Sequence, residues 1–297
     1  MAWRTLHLAN PARLSLAHHQ LAIHQEGGET CLPLEDIAAI ILDTPQATLT
    51  SALLSACMAS GVAILVTDQR HHPSGLVLPF HQHHKQSEIA ASQIALTPST
   101  ANRLWRQLVQ AKLANQAAHL AELGRNAAPI TAMAHLIAPG DPDNIEARAA
   151  RHYWGELFEN FTRHDAADPR NAMLDYAYAV LRAAIARALV GAGLLPCFGL
   201  HHASAQNPFN LADDLLEPFR PFADRLVHRL ATATPPPALP LPRATRQTLA
   251  SLLFDTLCIG PETLPLLAAT ERAASTLVRA MQTGRATLAL PTWPEPK

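Results

Sequence analysis

Lysine is scarce in this chain. Lys85, Lys112 and Lys297 are the only three among 23 basic residues, and arginine supplies the other 20. Arginine suits planar, bidentate contacts to phosphate, although a general compositional bias toward arginine and alanine would leave the same record. An excess of charge of either sign is also missing. The formal net charge is -1, so no basic tail or bulk positive field advertises nucleic-acid binding, and any such surface has to arise from arginines clustered in space. The four cysteines, Cys31, Cys57, Cys197 and Cys258, form no CxxC pair. That spacing excludes the common zinc sites and reads as reduced thiols. No uncharged apolar run approaches ~18 residues, and the start carries no basic, then apolar, then small-residue leader pattern. The expectation is a soluble, cytoplasmic protein without a membrane partner.

What is present divides the chain in two. Up to Leu78 the pattern is one of short strands: Trp3 to Leu8, Arg13 to His18, Gln20 to His24, Thr30 to Leu34, the charge-free run Ala38 to Leu42, Val62 to Thr67 and Gly75 to Leu78. One helix interrupts them, where Leu53, Leu54, Cys57 and Met58 share a face and Gly61 provides a stop. After the segment Pro79 to Lys85 the period changes to that of helices. These are expected at Ala91 to Ala95, Arg103 to Leu123, Ile145 to Phe161, Ala172 to Val190, Phe209 to Leu216, Pro221 to Leu230, Arg243 to Leu257 and Pro265 to Thr283. The run Ala172 to Val190 is apolar on most sides and is expected at the centre. The proline-rich stretch 234–242 cannot be helical and is expected as a surface loop, and Pro291 onward reads as a tail. The fold class is therefore α+β, with a β-rich domain over residues 1–84 and an α-helical domain over 85–297.

Three groups of residues could carry chemistry. Sixteen histidines are many for this length, and His81, His83 and His84 cluster at the boundary. A metal site, an exposed linker and an interface or DNA-contact role all remain open for them. The second group is Gly199-Leu200-His201-His202 followed by Asp213, Asp214 and Glu217. On a helix Glu217 shares a face with Asp213 and with Asp214. Three acids in one turn repel one another, so a bound cation balances them as well as solvent does. Pro218 disfavours the α region for Glu217 and predicts a corner there. The third group is Asp143 to Trp154. Asp143 or Asn144 can cap a helix whose first turn holds Glu146, with Arg148, Arg151 and His152 nearby. An acid in a first turn favours the helix dipole by itself, and an acid beside arginines also suits a metal-bound phosphate.

Taken together, these residues resemble the CRISPR-associated integrase family, specifically its type II branch. The resemblance covers roughly residues 1–230. It runs through Trp3-Arg4-Thr5, Pro79-Phe80, Glu146 with Arg151, Leu174-Asp175-Tyr176-Ala177-Tyr178, Phe198-Gly199-Leu200 with His202, and Asn210, Asp214 and Glu217-Pro218-Phe219-Arg220-Pro221. The last block is the most specific, and nothing from Pro235 onward contributes.

The resemblance implies an N-terminal β-sandwich-like domain that mediates a homodimer, and an all-α catalytic domain with one divalent metal site. Its ligands would be Glu146, His202 and Glu217, with Asp214 orienting or supplementing them, and Mg²⁺ or Mn²⁺ as the ion. His201 occupies a variable position and inherits no role. Arg148, Arg151 and Arg220 are the expected phosphate contacts. The implied activity is a metal-dependent DNA endonuclease and integrase, in which a 3′-hydroxyl of a short DNA fragment attacks a phosphodiester of a CRISPR repeat. The implied partners are double-stranded and branched DNA, a small companion protein of the adaptation complex and the RNA-guided effector nuclease of the same system. Without bound metal, Glu146 and Glu217 are expected to repel each other and at least one to hold its proton more tightly. Two competing readings are a catalytically idle DNA-binding scaffold and, with the resemblance set aside, a helical hydrolase using Asp213 and Glu217 on a small phosphorylated substrate.

Overall fold

The computed structural model describes residues 4–233, 236–285 and 287–294. Trp3 and the first residues of the proline-rich stretch, Thr234 and Pro235, lie outside them. The N-terminal strands form two four-stranded sheets. In the first the order is β1 (Arg4–Leu8), β5 (Ile37–Leu42), β7 (Ala63–Thr67), β8 (Pro73–Val77). The first two pairings are parallel and the last antiparallel. In the second the order is β4 (Gly28–Pro33), β3 (Gln20–Gln25), β2 (Ala12–Ala17), β6 (Ala47–Leu49). Strand β5 is buried at every position, as its continuous apolar run requires of a strand covered on both faces. Ile37, Ile40 and Leu42 pack in the core shared with Leu14 and Leu21 of the second sheet. Ala38 and Ile41 pack instead in the core of the helices. The result is a sandwich whose outer face is roofed by the rest of the chain. His18 and His19 sit between β2 and β3 with φ of 48° and 62°. A two-residue hairpin link needs left-handed backbone at both positions, so this pair of histidines serves a turn.

Helix α1 (Ser51–Ala59) crosses within the sandwich region, and α2 (Gln86–Ile94) opens the helical part. It is followed by α3 (Pro98–Glu122), α4 (Ala128–Leu136), α5 (Ile145–Leu157), α6 (Pro169–Gly191), α7 (Asn210–Leu216), α8 (Arg220–Ala231), α9 (Arg243–Ala250) and α10 (Leu266–Thr283). Thr97 caps α3 by accepting from the Thr100 amide, with Pro98 in the first turn where its missing N–H costs nothing. Helix α6 is central, as its apolar circumference predicts, and packs against α7, α8, α9 and α10. Burial of each leucine or isoleucine on it contributes about 1.5–3 kcal/mol.

The helical region is not purely α. The expected helix Arg243 to Leu257 stops at Ala250, and a hairpin of β9 (Thr256–Ile259) and β10 (Glu262–Pro265) follows. Thr256, Cys258, Ile259 and Thr263 favour extended backbone, and Gly260 takes the left-handed turn position at φ 55°. The expected tail also folds back. Cys258 pairs with Thr292 through backbone hydrogen bonds, and Trp293 stacks on His119 and Phe222. The proline-rich stretch keeps to the surface from Pro236 to Pro240, and Leu241 then enters the core. No helix among the described residues is long and apolar enough to cross a membrane.

Sandwich and helices are joined at Asp43, which follows β5 and is fully buried. Its carboxylate meets His7 Nε2 at 2.9 Å, His71 Nδ1 at 2.8 Å and Arg246 Nε at 2.7 Å. Burial works against the charge, but these hydrogen bonds outweigh it and hold the carboxyl below the usual aspartate range.

Candidate metal centre

Four segments meet at one place: the middle of α3, the first turn of α5, the loop after α6 and the end of α7. The loop is shaped around Asp214. This carboxylate is fully buried and accepts hydrogen bonds from the amides of Leu200 (2.5 Å), His201 (3.1 Å) and His202 (3.2 Å), and from His202 Nδ1 (2.6 Å). So tight a wrap explains Gly199, where an added Cβ would lie 2.3 Å from the His202 carbonyl oxygen and 2.8 Å from Asp214. Asn210 pins the same loop by donating to the carbonyls of Cys197 and Ser204. Asp214 is thereby saturated with donors, so it orients His202 and has little left to offer an ion. Its hydrogen bond raises the His202 pKa and occupies Nδ1, which leaves Nε2 as the nitrogen for a ligand. The His201 ring lies flat on Trp105 at 4.3 Å, and His202 meets the same indole edge-on at 5.8 Å.

Glu146 stands in the first turn of α5. The expected cap at Asp143 or Asn144 is not what holds that turn. Asn144 adopts left-handed backbone and makes no side-chain cap. Asp141 accepts from the amides of Ile145 and Glu146, both at 2.9 Å. Glu217 is buried at the junction of α7 and a single 3-10 turn, Glu217–Phe219. The expected corner is absent: Glu217 has φ -53° and ψ -47°. Pro218 falls in the first turn of a new helical segment, where it needs no N–H partner, so α7 runs almost directly into α8.

Lys112 of α3 reaches between the two glutamates. Its Nζ lies 2.6 Å from Glu146 Oε1 and 2.5 Å from Glu217 Oε2. Both contacts are short charge-assisted pairs, so one flexible ammonium serves both carboxylates. Arg220 Nε donates to Glu217 Oε1 at 2.8 Å, and its guanidinium stacks 4.4 Å from the centre of the Tyr178 ring. The expectation of two repelling glutamates with a raised pKa is therefore corrected. Burial pushes the Glu217 carboxyl up, but Arg220 and Lys112 together bring it down to about 2. Beneath this layer Tyr178 donates a short hydrogen bond to Asp224, whose burial raises it to about 7. Asn115, one turn along α3 from Lys112, donates to the carbonyls of Pro218 (3.0 Å) and Pro291 (2.9 Å), tying the Glu217 turn to the C-terminal segment.

The acids of α7 go separate ways. Asp213 faces Arg182 Nε (2.7 Å) and Asn207 (2.7 Å), away from the Glu217 partners, which removes the basis for an Asp213–Glu217 hydrolase. Arg148 and Arg151 are exposed on α5, whereas Arg220 is committed to Glu217. His81 and His84 are exposed, and His83 stacks on His84 at 4.7 Å. Among the described residues no three His, Cys, Asp or Glu side chains are drawn into a shell around one point. The donor set nevertheless fits a divalent ion. It offers two carboxylates bridged by one cationic group and one oriented imidazole. Sequence reasoning passed over Lys112, Asn115, Trp105 and Asp141. Lys112 left a signal: it lies on the α3 face of Leu108, Val109 and Gln116, where a solvated lysine has no place.

Residues 6–234 match the family described as CRISPR associated protein Cas1. A CRISPR-associated endonuclease Cas1 of Neisseria meningitidis is 43% identical over 233 residues, which is 77% of this chain and 76% of that one. The fold is shared with a casposase bound to an integration product, at TM-score 0.80 and 18% identity, covering 100% of this chain and 95% of that one. It is shared too with a chain of a Cas6-RT-Cas1–Cas2 complex, at TM-score 0.74 and 18% identity, covering 99% of this chain and 36% of that one. The chain belongs to the Cas1 family of CRISPR-associated proteins.

Proposed function

We propose that this chain is the divalent-metal-dependent DNA endonuclease and integrase of a type II CRISPR adaptation system. The observation that carries the reading is the pairing of Glu146 and Glu217 on one ammonium beside a histidine whose tautomer is set by a buried aspartate. Glu146, Glu217 and His202 Nε2 would hold the ion. A Mg²⁺ or Mn²⁺ bound there supplies charge stabilisation to a five-coordinate phosphorus and its departing oxygen. The imidazole nitrogen favours Mn²⁺ over Mg²⁺ relative to an all-oxygen site.

The protein's own part is orientation and charge. Asp214 keeps the proton on His202 Nδ1, so that Nε2 presents a lone pair. Arg220 braces Glu217 from the side opposite Lys112. Arg148 and Arg151, exposed on the helix that carries Glu146, contact phosphates of double-stranded or branched DNA. In the reaction the 3′-hydroxyl oxygen of the incoming fragment bonds to phosphorus, the target strand's 3′-oxygen leaves, and the proton of the hydroxyl passes to the leaving side or to solvent. The sandwich serves as a homodimer surface and binds the small companion protein, and the effector nuclease of the same system assists the choice of fragments.

The test is integration of a labelled DNA fragment into a supercoiled plasmid carrying a repeat, with Mn²⁺ supplied. The Glu217→Gln and His202→Ala variants lose roughly a thousandfold in rate, about 4 kcal/mol of barrier, while duplex binding in a gel shift is retained. Integration by Glu217→Gln at the wild-type rate sinks this assignment. An idle scaffold would show binding and no integration by the unaltered protein.

A further inference from the structure

The space between Glu146 and Glu217 is taken by the chain itself. Lys112 Nζ is close to one oxygen of each, and its side chain is only 10% exposed. Counting charges, two glutamates face Lys112 and Arg220, so the cluster is neutral without any ion. An ammonium has three donors and no lone pair. It can neutralise these carboxylates, but an ammonium and a divalent cation on the same inward oxygens would repel each other strongly at such short range, so the two compete for one place. The two basic partners also differ. Arg220 holds Glu217 Oε1 from the side in good hydrogen-bond geometry. Lys112 divides its single ammonium between Glu217 Oε2 and Glu146 Oε1. A lysine stem is flexible, whereas the Arg220 guanidinium is locked over Tyr178.

We propose that Lys112 is a resident counter-ion of the two glutamates, which a divalent cation displaces on binding while Arg220 stays in place. The idea rests on the reading above that Glu146 and Glu217 are metal ligands. It assigns Lys112 two effects. It keeps two like charges together at short range before metal arrives, and it weakens metal affinity by making the ion compete for its ligands.

Displacement can be read directly on the unaltered protein, since the chain has three lysines. Reductive methylation with formaldehyde and borohydride, followed peptide by peptide in the mass spectrometer, reports each one. In the presence of a chelator Lys112 reacts slowly and Lys85, with a side chain 56% exposed, reacts fast. Saturating Mn²⁺ raises the Lys112 rate roughly tenfold, equivalent to about 1.4 kcal/mol, and leaves Lys85 unchanged. Binding of Mn²⁺ is followed separately through loss of the free-ion electron paramagnetic resonance signal. The near-isosteric Lys112→Met variant binds Mn²⁺ roughly tenfold more tightly than the parent. If Mn²⁺ binds the parent but Lys112 methylation does not accelerate, or Lys112→Met binds no more tightly, displacement is wrong and the metal reading survives. If the parent binds no Mn²⁺, the metal reading itself fails and the counter-ion role falls with it.

Discussion

Asp43 and Glu217 are both buried carboxylates held by basic groups, and both are pulled below the ordinary range of their residue type. They differ in how firmly their partners are committed to them. Asp43 meets His7, His71 and Arg246 with its two oxygens, and Thr67 lies nearby. Those partners come from β1, the loop after β7 and α9, so the group is a rivet between sandwich and helices. Glu217 has one oxygen on Arg220 and the other on Lys112, a flexible side chain that it shares with Glu146. A buried carboxylate whose partners are all fixed to it makes a joint, whereas one that shares a flexible lysine with a second carboxylate keeps a partner that can move.

Stability separates the two most sharply. Asp43→Asn leaves Arg246 buried without its counter-charge and costs about 3–5 kcal/mol. Glu217→Gln costs less, about 1–3 kcal/mol, because Lys112 keeps Glu146 and Arg220 keeps its stacking on Tyr178. Urea unfolding of both variants checks the order, and equal costs would erase the distinction between joint and site. The repelling glutamates expected from sequence would have made removal of Glu217 nearly free. The lysine between them reverses that.

A third buried acid sharpens the contrast through pH. Burial raises Asp224 to about 7, while burial next to His228 and Arg225 lowers His119 to about 3. Tyr153 hydrogen-bonds His119 Nδ1 at 2.8 Å and also reaches Asp224. The depressed histidine contributes stability that is present above its unfolded value of 6.5 and is lost as pH falls toward 3. The raised aspartate contributes stability that is present below its unfolded value of 3.8 and is lost as pH rises through 7. Each slope is about 1.4 kcal/mol per pH unit for one proton, and between pH 4 and 6.5 the two oppose each other. Relative to the parent, His119→Gln gains stability as pH falls through that window and Asp224→Asn loses it. Unfolding midpoints at several pH values decide the matter, and parallel curves for all three proteins would refute it. The smallest effect is expected at His201, the neighbour of the proposed ligand His202. His201→Ala loses the flat contact on Trp105, worth about 0.5–1.5 kcal/mol, and its integration rate stays within roughly tenfold of the parent.

Most of the fold could be read from periodicity, because strands such as Ile37–Leu42 and helices such as Pro169–Gly191 state their burial in their own composition. The relation between His202 and Asp214 was readable as well, since a ligating imidazole needs its second nitrogen fixed. What escaped was whatever depends on a distant partner. Lys112 acquires its meaning from residues 34 and 105 positions away (146 − 112 and 217 − 112). The β9–β10 hairpin follows a helix-like run, and the pairing of β9, with β10 and with the distant Thr292, overrides that run. The helical backbone at Glu217 is a case of tertiary packing overriding the local disfavour that Pro218 imposes.

Asn115 adds an order of events. One amide hydrogen-bonds the Pro218 carbonyl beside Glu217, and the same amide reaches Pro291, 176 residues further along the chain. Every other segment of the centre has been synthesised by Ala231, yet the brace under its key glutamate needs Pro291, and the stacking that holds the C-terminal segment in place needs Trp293. A nascent chain that has reached residue 234, the limit of the family match, carries all three proposed ligands without that brace. Completion of the centre is thus tied to synthesis of the segment that carries Pro291 and Trp293, and a nascent polypeptide that lacks it would hold Glu217 in a looser setting.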